Sequence, residues 1–362
     1  FRISVMTRRV ALLMAVPLTV HLNFLASRRC SSLARSAFGR KPKAVVETGI
    51  SNGPRRLLSG RYKEKLKPLD ANGKFVDTHC HLDMVIPRLS RQSHEDARRA
   101  KAKGLAPPRQ LNASYEEWRN SLDGSEDDLE ACVNIGCGKA TLDLAASFLK
   151  YDGIYGAFGI HPLNADQWDD EVEKKLIEMM SMEKVVAWGE CGLDYFDKKT
   201  RGQVKDEEYR NLQRGVFTRQ MDLAVSLKKP LVVHTRFAED DTLELMEKHL
   251  PTEHPIHVHC FTSSNTLAQA LLERFSTLRL GFTGVVTFKN APEVKEVVRN
   301  TPLDRILLET DSPYMAPEPF RGRIAHPGHV SYVADTVATL KGVSRAEVLA
   351  TCRRNTRLIY GI

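Results

Sequence analysis

Residues 75–83 read FVDTHCHLD and place ionisable side chains directly after the apolar pair Phe75 and Val76. Side chains of an extended segment alternate between its two sides, so the rings of His79 and His81 lie on the same side. Two imidazoles on one side suit a divalent metal ion, although a surface loop can also hold two histidines by chance. The interpretation therefore depends on whether other strands of the chain end in the same way.

Short apolar runs alternate with longer segments of helical periodicity from Phe75 onward. The clearest helical segments are 206–229 and 345–360, whose apolar residues recur every three or four positions. Eight strand and helix units over about 290 residues predict parallel strands with crossover helices, an α/β fold of the (β/α)8 or TIM barrel type. A doubly wound open sheet is the alternative, which the lack of a GxGxxG sequence after the first run disfavours. The predicted strands are 74–78, 131–135, 154–160, 185–188, 231–233, 256–258, 278–282 and 306–308.

Histidines and acidic residues recur where these predicted strands end, and six of the 12 histidines lie there. The carboxyl ends of the strands of a TIM barrel meet at one face, which carries the catalytic groups. A single buried histidine is more often a hydrogen-bonded core residue than a ligand, but repetition at several strand ends predicts a shared metal site. The residues are His79, His81, His161, Glu190, Asp194, His234, Arg236, His257, His259, Glu309 and Asp311.

Six of these side chains form the predicted ligand set, which is too large for one tetrahedral ion. Two divalent ions that share Glu190 fit better, and such a pair lowers the pKa of a bridging water toward about 7. Asp311 could accept the proton of that water or complete the shell of one metal. Arg236 could hold a phosphate through its planar guanidinium, or form a structural ion pair. The predicted ligands are His79, His81, Glu190, His234, His259 and Asp311.

Over about residues 75–362 the chain resembles the TatD-type metal-dependent deoxyribonucleases. The motifs that carry the resemblance are, in this order, FVDTHCHLD, GIHP, GECGLDY, PLVVHTR, HCF, GFTGVVTFKNA and LLETDSPYMAPEPFRG. The resemblance implies a TIM barrel, a two-metal site, and hydrolysis of DNA phosphodiester bonds from the 3′ end of single strands. It also implies which residues hold each ion: His79, His81, Glu190 and Asp311 hold the first, and Glu190, His234 and His259 hold the second.

The same resemblance implies a substrate pocket that contains His161 and Arg236, with Tyr195 nearby. It suggests magnesium, whereas imidazole ligands suit manganese and zinc better. We therefore expect two divalent ions, Mg or Mn with Zn as a third candidate, and DNA as the substrate. A small-molecule amidohydrolase on the same barrel is the alternative. That class often bridges its metals with a carboxylated lysine at the fourth strand, where this chain has Glu190.

Residues 84–130 depart from the family pattern, because they are longer than the helix expected between the first two strands. This insertion carries a basic cluster and then an acidic stretch, 123–130. A loop after the first strand opens onto the catalytic face, so the insertion could contact a phosphate backbone or cap the groove. A solvated variable insertion is the alternative. The basic residues are Arg98, Arg99, Lys101, Lys103 and Arg109.

Residues 1–46 contain nine lysines and arginines and no acidic residue, whereas the whole chain has a net charge of +8. The positive charge therefore says nothing about the partners of the rest of the chain. This Arg-rich segment predicts a targeting leader that is disordered or cleaved, with a mitochondrion or plastid as the destination. A secretory signal peptide is the alternative, and the cytoplasm or nucleus are further compartments. We expect no stable membrane span, a linker at 47–74, and the barrel domain at 75–362.

Overall fold

The computed structural model describes residues 73–362, in which eight parallel strands alternate with helices. The strands pair in chain order from the first to the eighth. At the seam, the backbone N–H of His81 donates to the carbonyl of Ser312, and that of Asp311 donates to His79, both at 2.9 Å. The sheet is thus a nearly closed TIM barrel, which confirms the predicted fold.

The helices and strands have the following bounds within the described residues. The strands are β1 Phe75–Cys80, β2 Leu129–Gly136, β3 Ile154–Phe158, β4 Val185–Asp194, β5 Leu231–Arg236, β6 Ile256–Val258, β7 Arg279–Phe282 and β8 Ile306–Leu308. The α-helices are α1 Leu82–Ala102, α2 Tyr115–Arg119, α3 Leu142–Ala146, α4 Asp170–Met179, α5 Glu207–Ser226, α6 Glu239–His249, α7 Asn265–Arg274, α8 Pro292–Asn300, α9 Val330–Lys341 and α10 Arg345–Tyr360.

Local capping explains where the two predicted helices begin and where α10 ends. The side chain of Asp206 accepts a hydrogen bond from the N–H of Tyr209 and starts α5, as an N-cap aspartate should. Ser344 caps α10 in the same way through Glu347, and Gly361 ends that helix with a left-handed φ of 77°, a conformation that glycine adopts without strain.

The apolar core has two parts. The larger part fills the space between the strands and the surrounding helices. The smaller part includes Val133 and Ile135 of β2 together with Ile359 and Tyr360 of α10. Because side chains alternate along a strand, β2, β3, β4, β5 and β8 contribute to both parts, and this rigid frame fixes the positions of the strand ends.

The insertion at 84–130 forms most of α1, then α2 and a short 3₁₀ helix at Gly124–Glu126. Trp118 of α2 is only 2% exposed, so apolar packing holds this part of the insertion against the barrel. The basic residues predicted for the insertion are solvent-exposed on α1 and on the loop that follows it. Contact between these residues and a phosphate backbone stays a prediction.

The predicted leader at 1–46 and nearly all of the predicted linker at 47–74 lie outside the described residues. Between residues 73 and 362, no helix combines the length and the hydropathy of a membrane span.

Candidate metal centre at the strand ends

Five strands bring the six predicted ligands together in one cluster, called here the barrel cluster. Two histidines come from β1 and its end, a glutamate from β4, a histidine from β5, a histidine from just after β6 and an aspartate from just after β8. Five of the six are buried, and His234 is partly buried, so the polar groups face one another. The barrel cluster consists of His79, His81, Glu190, His234, His259 and Asp311.

Glu190 lies in the middle of the barrel cluster, and its two carboxylate oxygens face different partners. Its Oε2 lies 3.4 Å from His79 Nε2 and 3.9 Å from His81 Nε2. Its Oε1 lies 2.9 Å from His234 Nδ1 and 2.7 Å from His259 Nε2. A carboxylate that presents one oxygen to each of two imidazole pairs has the arrangement needed to bridge two ions.

Asp311 adds a second carboxylate on the side of His79 and His81. Its Oδ1 lies 3.7 Å from His79 Nε2 and 3.5 Å from His81 Nε2. Its φ is 50°, in the left-handed region that residues other than glycine seldom adopt. The same backbone contact that closes the barrel, from Asp311 N–H to the His79 carbonyl, therefore also orients this carboxylate.

The ring nitrogens of the barrel cluster have few protein partners, which fits a site for cations. Both nitrogens of His79, Nε2 of His234 and Nδ1 of His259 are buried without a hydrogen-bond partner in the described part of the chain. Each such atom costs roughly 1–3 kcal/mol unless something satisfies it. His234 Nδ1 also lies 3.1 Å from His259 Nε2, and two ligands about 2.0–2.1 Å from one metal lie roughly 3 Å apart.

Burial and neighbouring charges set the protonation of the barrel cluster. Burial opposes ionisation of Glu190, yet the charges of neighbouring histidines, His259 first, outweigh it and hold the pKa of Glu190 well below its usual value. Burial and the charge of His259 lower the pKa of His79 to about 3. Burial also disfavours charge on His81, but the Asp311 carboxylate raises the pKa of His81 to about 9. In the cation-free protein the ionised Glu190 therefore lies against protonated histidines, whose protons a metal ion would have to displace.

Asp194 and His161 border the barrel cluster near Glu190 and His234. His234 Nε2 lies 3.4 Å from Asp194 Oδ2, and His161 Nε2 lies 3.4 Å from Glu190 Oε1. Asp194 follows Glu190 by four residues in the same strand, and this even spacing predicts that both side chains share one side. The four-residue spacing from Glu190, together with the position at a strand end, therefore predicts that Asp194 contacts one of the predicted ligands.

Two buried glutamines of α5 hold the strand ends beside the barrel cluster. Gln220 accepts a hydrogen bond from the N–H of Ile160 at 2.8 Å and donates to its carbonyl at 3.0 Å. Gln213 accepts from the N–H of Asp194 at 2.8 Å and donates to its carbonyl at 3.0 Å. No local signal marks these residues in the sequence, because a glutamine on a helix usually faces solvent.

His257 differs from the other strand-end histidines, because it lies one step deeper inside the barrel than His259. Its Nε2 lies 3.0 Å from Glu309 Oε2, and its Nδ1 lies 2.6 Å from the Tyr360 hydroxyl. Glu309 also accepts a hydrogen bond from the N–H of Cys260, and burial raises the pKa of Glu309 to about 8. His257 therefore joins the metal face to α10 and is no candidate ligand.

Tyr195 and Arg236, which the family resemblance implies as substrate contacts, lie where β4 and β5 end. Arg236 is exposed, and its guanidinium carbon lies 3.8 Å from the centroid of the Phe196 ring. Tyr195 is 2% exposed, and its hydroxyl donates to Asp241 at 2.7 Å, a contact that ties β4 to α6. Substrate roles for these two residues and for His161 stay predictions.

Comparison with known proteins identifies the family. Residues 76–361 match the family model described as TatD related DNase. The human 3′-5′ RNA nuclease TATDN2 is 36% identical over 306 residues, 83% of this chain and 36% of the human protein. The chain thus spans about a third of that relative's length. YabD of Bacillus subtilis, an uncharacterized metal-dependent hydrolase, is 35% identical over 235 residues, 65% of this chain and 88% of the bacterial protein.

A solved structure has the same fold. The crystal structure of YJJV, a TatD homolog from Escherichia coli K12, matches with a TM-score of 0.63 at 23% sequence identity. The match covers 80% of this chain and 98% of the other. The barrel, its cluster of histidines and carboxylates, and these matches lead to one assignment. The chain belongs to the TatD related DNase family and is a metal-dependent hydrolase.

Proposed function

We propose that this chain hydrolyses phosphodiester bonds of nucleic acids with two divalent ions, Mg or Mn, in the barrel cluster, with Zn as a third candidate. The observation that carries the proposal is the division of the Glu190 carboxylate between two imidazole pairs. The first ion would be held by His79, His81, Glu190 and Asp311, and the second by Glu190, His234 and His259.

The carboxylates of the chain prepare the site for an activated water. When bound, two ions would lower the pKa of a shared water and neutralise charge on the attacking and leaving oxygens. Burial opposes ionisation of Asp311, but the hydrogen bond from His81 and the charges of His79 and His259 together outweigh it and keep the pKa of Asp311 below its usual value. The Asp311 side chain is 12% exposed and that of Glu190 only 3%. Asp311 is therefore the carboxylate that can accept a proton from a water at the mouth of the cluster.

His161 is well placed to donate a hydrogen bond to a phosphate oxygen. Its Nδ1 accepts from the N–H of Leu163 at 3.0 Å, so the neutral ring carries its proton on Nε2. Burial lowers the pKa of His161 to about 4, and the ring is neutral at physiological pH. Its Nε2 faces the Glu190 side of the cluster, and the side chain is 16% exposed. A substrate at the mouth of the cluster could therefore accept this N–H.

The position of Arg236 favours binding of an anionic substrate. It follows His234 by two residues in β5, so the two side chains lie on the same side of the strand. The guanidinium stacks on Phe196 by its face, which leaves its edge N–H groups able to form paired hydrogen bonds with a phosphate. The charge of Arg236 also helps to lower the pKa of Asp194, so the cation lies near the barrel cluster.

Single-stranded DNA, shortened from the 3′ end, is the proposed substrate, and RNA is the second candidate. The family description names a DNase and supports DNA. The human relative is described as a 3′-5′ RNA nuclease and supports RNA with the same direction. DNA and RNA present the same phosphodiester group to the barrel cluster. Residues outside the cluster must therefore distinguish deoxyribose from ribose.

A cleavage assay on the full chain tests the proposal. The protein is stripped with chelator, given Mg, Mn or Zn singly, and mixed with 5′-labelled single-stranded DNA or with RNA of the same sequence. We expect stepwise, metal-dependent shortening of the DNA, and none when the 3′-terminal linkages are phosphorothioates. If a folded, metal-loaded protein cleaves neither polymer, the proposal fails. The amidohydrolase alternative is then tested with cyclic amides and acylated amino acids.

A further inference from the structure

A second group of histidines and a carboxylate joins the insertion to the segment that follows β8. Glu126 ends the 3₁₀ helix Gly124–Glu126, and His326 and His329 lie at the 3₁₀ helix Pro327–His329 before α9. One potential ligand atom of each residue lies within 4.8 Å of those of the other two. We call Glu126, His326 and His329 the insertion cluster; it shares no residue with the barrel cluster.

The distance between His326 and Glu126 is close to that of two ligands around one small ion. His326 Nε2 lies 3.7 Å from Glu126 Oε2, which is too long for a hydrogen bond. Two ligands about 2.0–2.2 Å from zinc at the tetrahedral angle are separated by roughly 3.3–3.6 Å. Two imidazoles, one carboxylate and a water are also a ligand set that zinc uses in proteins.

Both histidines carry a buried nitrogen without a hydrogen-bond partner among the described residues, Nδ1 of His326 and Nδ1 of His329. Burial and the charge of His329 hold the pKa of His326 well below its usual value, and burial lowers the pKa of His329 to about 4. Both rings are therefore neutral at physiological pH, the form in which imidazole binds a metal. Coordination through Nδ1 of His329 would remove the cost of leaving that buried nitrogen unpaired.

Aromatic neighbours hold the two rings in place. His329 stacks on Phe320 with 4.7 Å between ring centroids and 11° between ring planes. Trp118 of the insertion packs edge-on against His326 at 6.0 Å. Rings that are already fixed lose little freedom when they bind an ion, which favours binding.

The backbone at Gly328 lets the insertion come close to the two histidines. A Cβ at this position would lie 3.0 Å from the Cβ of Glu126 and 3.1 Å from the His326 ring. The Tyr332 side chain lies close enough to the Glu126 carboxylate for the two groups to shift each other's pKa. The approach of the acid to the imidazoles therefore depends on the absence of a side chain at Gly328.

We propose that the insertion cluster binds one transition-metal dication of the zinc class, separate from the ions of the barrel cluster. Two nitrogens and one oxygen favour zinc over magnesium, which prefers six oxygen ligands. The ion pins the insertion at 84–130 to the segment between β8 and α9. The ion pair between Arg323 and Asp96, at 2.6 Å, joins the same two segments, so the metal strengthens an existing contact.

Zinc counting on the full chain tests the site independently of nuclease activity. The protein is stripped with chelator, saturated with zinc and desalted, and bound zinc is measured by mass spectrometry. The barrel cluster can also take zinc, so the readout is the difference between variants. We expect the wild-type chain to hold one more zinc per chain than Glu126→Gln and His326→Ala. Rates measured with magnesium should stay within about twofold of wild type, because neither residue belongs to the barrel cluster.

The controls distinguish loss of zinc at the insertion cluster from loss of zinc bound by any surface histidine. His249→Ala breaks an exposed histidine pair with Asp222, at 3.1 Å, and should keep the wild-type zinc count. Glu126→Gln keeps the size of the side chain, and circular dichroism checks its fold. Equal zinc counts in wild type and Glu126→Gln would overturn the site. A lower count without any zinc-dependent protection of residues 115–128 from hydrogen exchange in the wild type would overturn its anchoring role.

Discussion

The barrel cluster and the insertion cluster use the same kinds of side chain but are assembled in different ways. Each predicted ligand of the barrel cluster lies in the carboxyl-terminal half of a parallel strand or just after it, and hydrogen bonds between neighbouring strands set the distances. Glu126 lies about 200 residues before His326, and no sheet aligns the short helices that carry them. A metal site can therefore be found in a sequence when a repeating framework positions its ligands.

The two clusters also differ in charge. Glu190 and Asp311 both have pKa values below the usual range, because charges and hydrogen bonds from histidines outweigh the effect of burial. In the insertion cluster burial raises the pKa of Glu126, the single carboxylate there. Two strongly ionised acids suit a pair of dications, whereas one acid with two neutral imidazoles suits one. This contrast predicts that substitutions and pH affect activity and metal binding to different extents in the two clusters.

Glu190→Gln should have the largest effect. An amide cannot present two anionic oxygens to two cations, so hydrolysis should fall at least about 10³-fold with the fold retained. Steady-state rates on labelled DNA and circular dichroism measure the two effects. Glu208→Gln, on the exposed surface of α5, is the matched control and should keep the wild-type rate. A Glu190→Gln rate within about tenfold of wild type would contradict bridging, given how much such groups usually contribute.

Metal binding to the barrel cluster should strengthen as the pH rises toward 9. Burial disfavours charge on His81 and His234, but Asp311 and Asp194 raise their pKa values to about 9 in the cation-free protein. These protons must leave before the nitrogens bind a metal, so affinity should rise up to about tenfold per pH unit for each proton released. Manganese calorimetry at neutral pH, in two buffers of different ionisation enthalpy, counts the protons.

The insertion cluster provides the contrast for this pH experiment. Its histidines are already neutral at physiological pH, so zinc binding there should release no proton from them. The difference in proton release between wild type and Glu126→Gln under zinc isolates this contribution. A manganese affinity of the barrel cluster that does not change with pH would contradict the raised pKa values of His81 and His234.

Arg236→Ala should have a moderate effect, on substrate binding more than on the chemical step. Loss of a phosphate contact should raise KM roughly tenfold and change kcat little, while Arg236→Lys should recover part of the loss because it keeps the charge. Arg274→Ala is the matched control, since its guanidinium also lies over a phenylalanine ring, Phe275, at 5.9 Å. A fall in kcat at unchanged KM would contradict the proposed contact.

Among these variants, Gln220→Leu should change the rate of hydrolysis least, but it should lower the free energy of unfolding. It leaves the backbone groups of Ile160 and the indole N–H of Trp188 without their partner. The free energy of unfolding should fall by about 2–4 kcal/mol, as measured by urea unfolding. Gln110→Leu, at an exposed position, should change it by less than about 0.5 kcal/mol. An equal, small effect of both variants would mean that the sheet alone holds the strand ends.

Most of the barrel could be predicted because its patterns are local. The eight predicted strands overlap the eight observed ones, and the predicted helices 206–229 and 345–360 correspond to α5 and α10. The end of β4 was predicted too early, at 188, whereas the strand continues to Asp194. Beyond Trp188 the strand carries two glycines and the polar Glu190 and Asp194, which contact His234, yet it still pairs with β5. An apolar pattern cannot reveal a strand whose end faces a polar site.

The sequence by itself determined the barrel and the clustering of the six predicted ligands, because neighbouring residues carry the strand periodicity and mark the strand ends. The tertiary structure decided how the oxygens of Glu190 divide between two imidazole pairs and how deep His257 lies. It also decided that Gln213 and Gln220 hold the strand ends and that Glu126 meets two histidines about 200 residues away. These contacts join residues far apart in the chain, and no periodic pattern in the local sequence predicts them.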